Sequence, residues 1–125
     1  MALAPEVLRL AERSREVTLI TYGRKTGKPI RVVIWFCTDG SRLFVRAGDG
    51  LTQHWPQNLL ARPEAELRLG GRSFKVDARN LTEPDESRAV SRLLNKRYGA
   101  YYTESRRGEP PTPGEQATFE LIPAV

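Results

Sequence analysis

Two glycine turns constrain this chain more than any other feature. Asp39-Gly40 and Gly70-Gly71 each separate short segments rich in aliphatic, β-branched and aromatic residues, and both dipeptides tolerate the positive φ of a tight hairpin. Strands joined so closely must run antiparallel, because a parallel neighbour needs a long crossover. Around the second turn the alternation is clean. Ala65, Leu67 and Leu69 face one way before it, and Phe74, Val76 and Ala78 do so after it.

The same reasoning places strands at residues 16–22, 43–47 and 117–122. Residues 30–37 form a nearly continuous apolar run, which predicts one central strand covered on both faces. Helical spacing marks residues 6–14, with Pro5 in the first turn and Val7, Leu10 and Ala11 on one face. A second helix covers residues 53–61 and is stopped by Arg62-Pro63. A third starts at Thr82-Glu-Pro-Asp85, where a hydroxyl and an acid three residues on suggest a capping box. It carries Ala89, Val90, Leu93, Leu94 and Tyr98 on its buried side, and a proline- and glycine-rich loop over 107–114 follows. The expected total is six strands and three helices. A twisted sheet this small closes to hide its edges, so the fold class is α+β on a small six-stranded antiparallel barrel. A chain of 125 residues makes one domain, with an N-terminal helix over 1–15 and the barrel over 16–125.

Charge narrows the partners. Lys and Arg number 20 against 15 Asp and Glu, a net +5 that favours anionic ligands and also serves solubility. With one cysteine (Cys37) and one histidine (His54), the chain cannot form an internal disulfide or a Cys/His zinc cage, so no metal is expected. No apolar run approaches the roughly 18–20 residues of a membrane span, and the N-terminus lacks a secretory pattern. The expected location is therefore the cytoplasm.

Four stretches can carry chemistry. Gly23-Arg24-Lys25-Thr26-Gly27-Lys28, with Arg31 beyond it, combines flexible backbone, cations and a hydroxyl, which suits a phosphate or merely a solvated hairpin tip. Arg46-Ala47-Gly48-Asp49-Gly50 offers small residues where a flat ring could approach the backbone, ahead of a helix start. In His54-Trp55-Pro56-Gln57-Asn58-Leu59, Trp55 and Leu59 share a buried face. Asn58 is a poor helix former that needs a specific hydrogen bond, either to turn backbone or to a ligand. Tyr98, Tyr101 and Tyr102 cluster after the last helix and suit either a substrate wall or plain packing. Asp39, Glu64, Glu66 and Asp77 fall on turns or solvent faces, Cys37 lies in an apolar strand, and no serine or threonine has a base. An enzyme built this way needs a cofactor to supply reactivity.

Taken together and in this order, Thr21-Tyr22-Gly23-Arg24-Lys25-Thr26-Gly27-Lys28-Pro29, the Asp39-Gly40 turn and His54-Trp55-Pro56-Gln57-Asn58-Leu59-Leu60-Ala61-Arg62-Pro63-Glu64 resemble the split β-barrel flavin and deazaflavin oxidoreductases. Within that superfamily the chain resembles the deazaflavin-dependent nitroreductase-like branch, whose fold is pyridoxamine phosphate oxidase-like. The resemblance implies a six-stranded split barrel that binds the deazaflavin coenzyme F420, or alternatively FMN, and passes hydride to a small electrophilic or unsaturated substrate. By position it makes Arg24, Lys25 and Thr26 phosphate ligands, with Arg31 beside them. Val33 and Trp35 would lie near the ring, and Ala47, Gly48 and Gly50 would present backbone to it. Trp55 and Asn58 would support from the helix, and Tyr98, Tyr101 and Tyr102 would line the substrate side. The chain departs from the family's pattern at Ile30, Val33 and Asp49.

A cofactor carrier or sensor of the same fold, without turnover, is a competing reading. A nucleic-acid-binding barrel is a third, disfavoured because Trp35, Phe36, Phe44 and Phe74 lie in apolar strands rather than among exposed arginines. An apolar face on Leu43, Val45 and the N-terminal helix would permit a homodimer.

Overall fold

The computed structural model describes residues 3–99 and 102–124. Helix α1 (Pro5–Glu12) begins at a proline, which fits the first turn because its missing N–H has no intrahelical acceptor there. Strands β1 (Val17–Tyr22), β2 (Pro29–Ile34), β3 (Phe36–Thr38) and β4 (Leu43–Arg46) follow, and then α2 (His54–Ala61). The chain continues through β5 (Glu64–Leu69), β6 (Arg72–Asn80), α3 (Pro84–Tyr98), α4 (Pro113–Gln116) and β7 (Thr118–Pro123).

The sheet has seven strands, not six, in the order β2-β1-β5-β6-β7-β4-β3, and every pairing is antiparallel. Its two outermost strands, β2 and β3, are consecutive in the chain and separated only by Trp35. A sheet whose ends are covalently adjacent must curl round on itself, so the chain makes an antiparallel half-barrel with flanking helices.

This topology corrects the strand expected over 30–37. The run is broken at Trp35, and its halves pair with different partners, β1 and β4. Neither half is central. Ile30 and Val33 are 45% and 55% exposed. An apolar run alone does not distinguish a strand covered on both faces from two edge strands placed end to end.

Inward-facing residues build the core: Leu19, Leu67, Leu43, Val45, Phe36, Phe119 and Leu121 are fully buried with Trp55 and Leu59 of α2 beside them. Leu43 and Val45 are therefore not a free dimer face. Helix α3 covers the outer side of β3 and β4, where Cys37 and Phe44 pack with Leu81, Val90 and Leu94. The helix expected after Thr82 is present, but its N-cap is Glu83 and no side chain caps it. The capping box lies elsewhere, at Thr112 and Glu115, which open the short α4 inside the expected loop. No helix of the described residues is long and apolar enough to cross a membrane.

Candidate functional site

The turn after β1 is closed by its own backbone: Gly23 N–H donates to Lys28 O at 2.9 Å and Gly27 N–H to Gly23 O at 2.7 Å. Gly27 adopts φ 72°, a region disfavoured for side chains. Thr26 Oγ1 accepts from Lys28 N at 3.2 Å, and its O–H is still available to donate. Arg24, Lys25, Thr26 and Lys28 are all exposed, so the turn presents a cationic tip to solvent.

Helix α2 meets this turn. Asn58 is 1% exposed, and its Oδ1 accepts from Arg24 Nη1 at 2.8 Å and from Arg24 N at 3.4 Å. Its Nδ2 donates to Thr21 Oγ1 at 3.4 Å. A mid-helix asparagine is thereby explained, since one buried amide fixes both the backbone and the side chain of Arg24. Arg24 Nη2 lies 3.4 Å from His54 Nδ1 in the first turn of the same helix. At the far end of α2, Arg62 stacks over Tyr22 at 4.5 Å. Trp55 points the other way, into the core, with its ring 6.0 Å from that of Phe119.

Arg31 and Val33 stand apart from this cluster. They pair with Ile20 and Thr18 of β1, so they project from the sheet face opposite to Thr21 and Asn58. Trp35, at the break between β2 and β3, is half-buried and stacked on Tyr98 with centroids 4.1 Å apart and planes 9° apart. The Tyr98 hydroxyl is committed to the fold: it donates to Arg15 O at 2.8 Å and accepts from Phe36 N at 3.2 Å. Tyr102 meets Trp35 edge-on at 6.4 Å. Tyr101 lies outside the described residues.

The turn after β4 forms a second cluster. Ala47 is buried and its N–H donates to Ala117 O at 3.0 Å. Gly50 (φ 89°) is packed so tightly that a Cβ there would sit 2.9 Å from Pro113 Cβ, so close packing accounts for this glycine. Gly48 is exposed, and a Cβ on it would meet only Tyr102, at 4.0 Å. Gly48, Asp49, Tyr102, Thr103 and Thr112 line a cavity of about 430 Å³ whose wall includes Arg46.

Arg46 opens the second of the four stretches marked in the sequence, which assigns it no role of its own. It is 4% exposed, yet its hydrogen bonds among the described residues all go to neutral oxygens: Nε to Thr118 Oγ1 at 2.8 Å, Nη1 to Ser91 Oγ and Nη2 to Ser87 O, both at 2.7 Å. Burial pulls its pKa down, and the nearby charge of Glu115 opposes that. Burial likewise raises Tyr102 above the usual phenol range, against the charge of Arg46. The signal available in the sequence was a charge inside an otherwise apolar strand, Leu43-Phe-Val-Arg46.

A larger groove of about 600 Å³ lies between α3 and the β3–β4 hairpin, with Phe44, Ala89, Val90 and Leu93 in its lining. None of the candidate cofactor- or substrate-binding residues lines it; of the residues named from the sequence, it takes core and turn positions such as Asp39, Phe44 and Val90. Among the described residues no group of three or more His, Cys, Asp or Glu is placed to hold a metal.

Comparison with known proteins agrees with this fold. The solved structure of an F420-H2 dependent reductase (FDR-A) superposes with a TM-score of 0.63 at 21% identity, covering 86% of this chain and 93% of that one. HutZ, the heme storage protein from Vibrio cholerae, superposes with a TM-score of 0.67 at 16% identity, covering 100% and 92%. Both establish the fold. By sequence, the chain is 29% identical over 99 residues to the F420H(2)-dependent quinone reductase Rv1261c of Mycobacterium tuberculosis (strain ATCC 25618 / H37Rv), covering 74% of this chain and 66% of that protein. It thus spans just under two thirds of the length of the curated relatives it matches. The F420H(2)-dependent quinone reductase family profile matches residues 4–111. The chain belongs to that family.

Proposed function

We propose that this protein binds reduced F420 and passes hydride from it to a quinone or a similar small acceptor. The observation that carries this reading is the tie between Arg24 and Asn58, 2.8 Å long, which joins the cationic turn to helix α2 as one surface. The residues present fit the group. Exposed Arg24 and Lys25 and the hydroxyl of exposed Thr26 suit its phosphate and acidic tail, because charge-assisted hydrogen bonds address such oxygens best. The open backbone at Gly48 gives a planar ring room to approach.

When bound, the deazaflavin supplies the hydride; the protein supplies placement. Arg24 and Lys25 hold the anionic end, and Asn58 holds Arg24. Trp55 acts from the core as a support for α2. Tyr102 and Gly48 wall the cavity where the acceptor would sit and limit its water. Arg46, buried beside that cavity and ion-paired with no carboxylate among the described residues, favours acceptors whose oxygen gains negative charge on reduction. Trp35, already stacked on Tyr98, borders the site, and Arg31 takes no part because it faces away.

The test is anaerobic mixing of the protein with F420H2 and a soluble benzoquinone, following the return of the oxidised cofactor's absorbance. The expected result is saturable turnover above a protein-free control. Binding without oxidation would favour a carrier, and neither binding nor oxidation would end this reading.

A further inference from the structure

Resting on that reading, we infer that His54 is a proton-gated member of the anion clamp, making affinity for an anionic ligand rise as pH falls. His54 is exposed, and its Nδ1 lies 3.4 Å from Arg24 Nη2. Arg24 has no acceptor capacity, so this contact is a hydrogen bond only if Nδ1 is unprotonated and the neutral ring carries its proton on Nε2. In that state one edge of Arg24 is divided between Asn58 and the imidazole, and His54 adds no charge.

Protonation changes both facts. Two donors then face each other across 3.4 Å and the contact breaks, while the Nη1 bond to Asn58 Oδ1 remains. Nη2 is released toward solvent and an imidazolium stands beside it. An anion on the turn gains a free donor and a second positive neighbour together. The charged groups on the surrounding elements are Arg24, Lys25 and Lys28 in the 23–28 turn. On the side of the preceding turn stands Asp49, whose carboxylate accepts from Gln53 Nε2 at 3.4 Å. Helix α2 contributes no ionisable residue besides His54, and Arg62 follows its end. No carboxylate is paired with the imidazole among the described residues.

The experiment is equilibrium dialysis of F420 with the wild-type protein and His54→Gln, at pH 8 and at pH 5.5. Glutamine can still accept from Arg24 but cannot titrate, and taking the ratio of the two proteins cancels any titration of the ligand itself. Affinity of the wild type relative to the variant is expected to rise about three- to tenfold on acidification, the size of one added charge near a solvent-exposed anion. By linkage, a wild-type affinity that rises in acid requires binding in weak buffer to take up protons, and His54→Gln should lack that uptake. Saturable binding with the same pH dependence in both proteins would overturn the role of His54 while leaving the cofactor reading intact. A relative affinity that falls in acid would do the same. No saturable binding at either pH by either protein would overturn the cofactor reading, and this inference with it.

Discussion

Asn58 Oδ1 receives two donors from one residue, the main-chain N–H of Arg24 at 3.4 Å and its guanidinium at 2.8 Å. This buried amide makes the exposed turn a fixed cationic surface. Asn58→Ala leaves the Thr21 hydroxyl and the Arg24 backbone without it. The expected stability loss is about 1–3 kcal/mol, together with roughly tenfold weaker F420 binding. Asn58→Asp keeps the acceptor for Arg24 and should retain more of the binding. Urea unfolding and equilibrium dialysis on both variants check this.

At Gly50 the argument is steric. Its φ of 89° and the 2.9 Å approach to Pro113 that a Cβ would make predict that Gly50→Ala destabilises the fold by about 1–3 kcal/mol. Gly40, also at positive φ but with nothing within 4 Å, pays only the conformational term, so Gly40→Ala should cost about 1 kcal/mol. Thermal unfolding of the pair separates close packing from backbone preference.

Cys37 is 1% exposed, and burial pushes its thiol up to about 12. In the native protein, an aromatic disulfide reagent at pH 8 should label it only as fast as the protein opens. Labelling should become immediate in denaturant. Fast native labelling would show that the packing of α3 over β3 is loose.

Burial works against ionisation of Glu115, but hydrogen bonds from Ser105 and the Thr112 backbone, with the charge of Arg46, outweigh it, and its pKa lies below the ordinary carboxylate value. A lowered carboxylate stabilises the fold fully above its unfolded pKa, and that contribution disappears as pH falls through the folded one. Wild type should therefore exceed Glu115→Gln in Tm most at pH 7, and the gap should close below about pH 4. A gap that widens in acid would contradict the sign.

The parts legible in the sequence are those fixed by neighbours in the chain. Asp39-Gly40 and Gly70-Gly71 turn because glycine permits it, and the alternation of Ala65, Leu67 and Leu69 gives β5 its buried face. Asn58 was legible as an anomaly, a poor helix former mid-helix, with its partner visible only once β1 and α2 are packed. The break at Trp35 was not legible, because an unbroken apolar run carries no mark of where pairing changes from β1 to β4. Nor was the role of Arg46, whose partners Ser87, Ser91 and Thr118 are more than forty residues away. The α3 cap was misplaced for a related reason. Thr82-Glu-Pro-Asp85 and Thr112-Pro-Gly-Glu115 have the same local pattern, and only the second closes into a capping box.

The most direct measurement of the central claim, that the Arg24 turn and helix α2 together cradle an anionic cofactor, is the affinity of F420 for wild type and for Arg24→Met by equilibrium dialysis at low salt. The account predicts one saturable site in the wild type, weakened at least tenfold in the variant, with a melting temperature no lower than that of Asn58→Ala, because the Asn58 amide keeps its bonds to the Arg24 main chain and to Thr21. Equal affinity in the two proteins, or no saturation in the wild type, would contradict it.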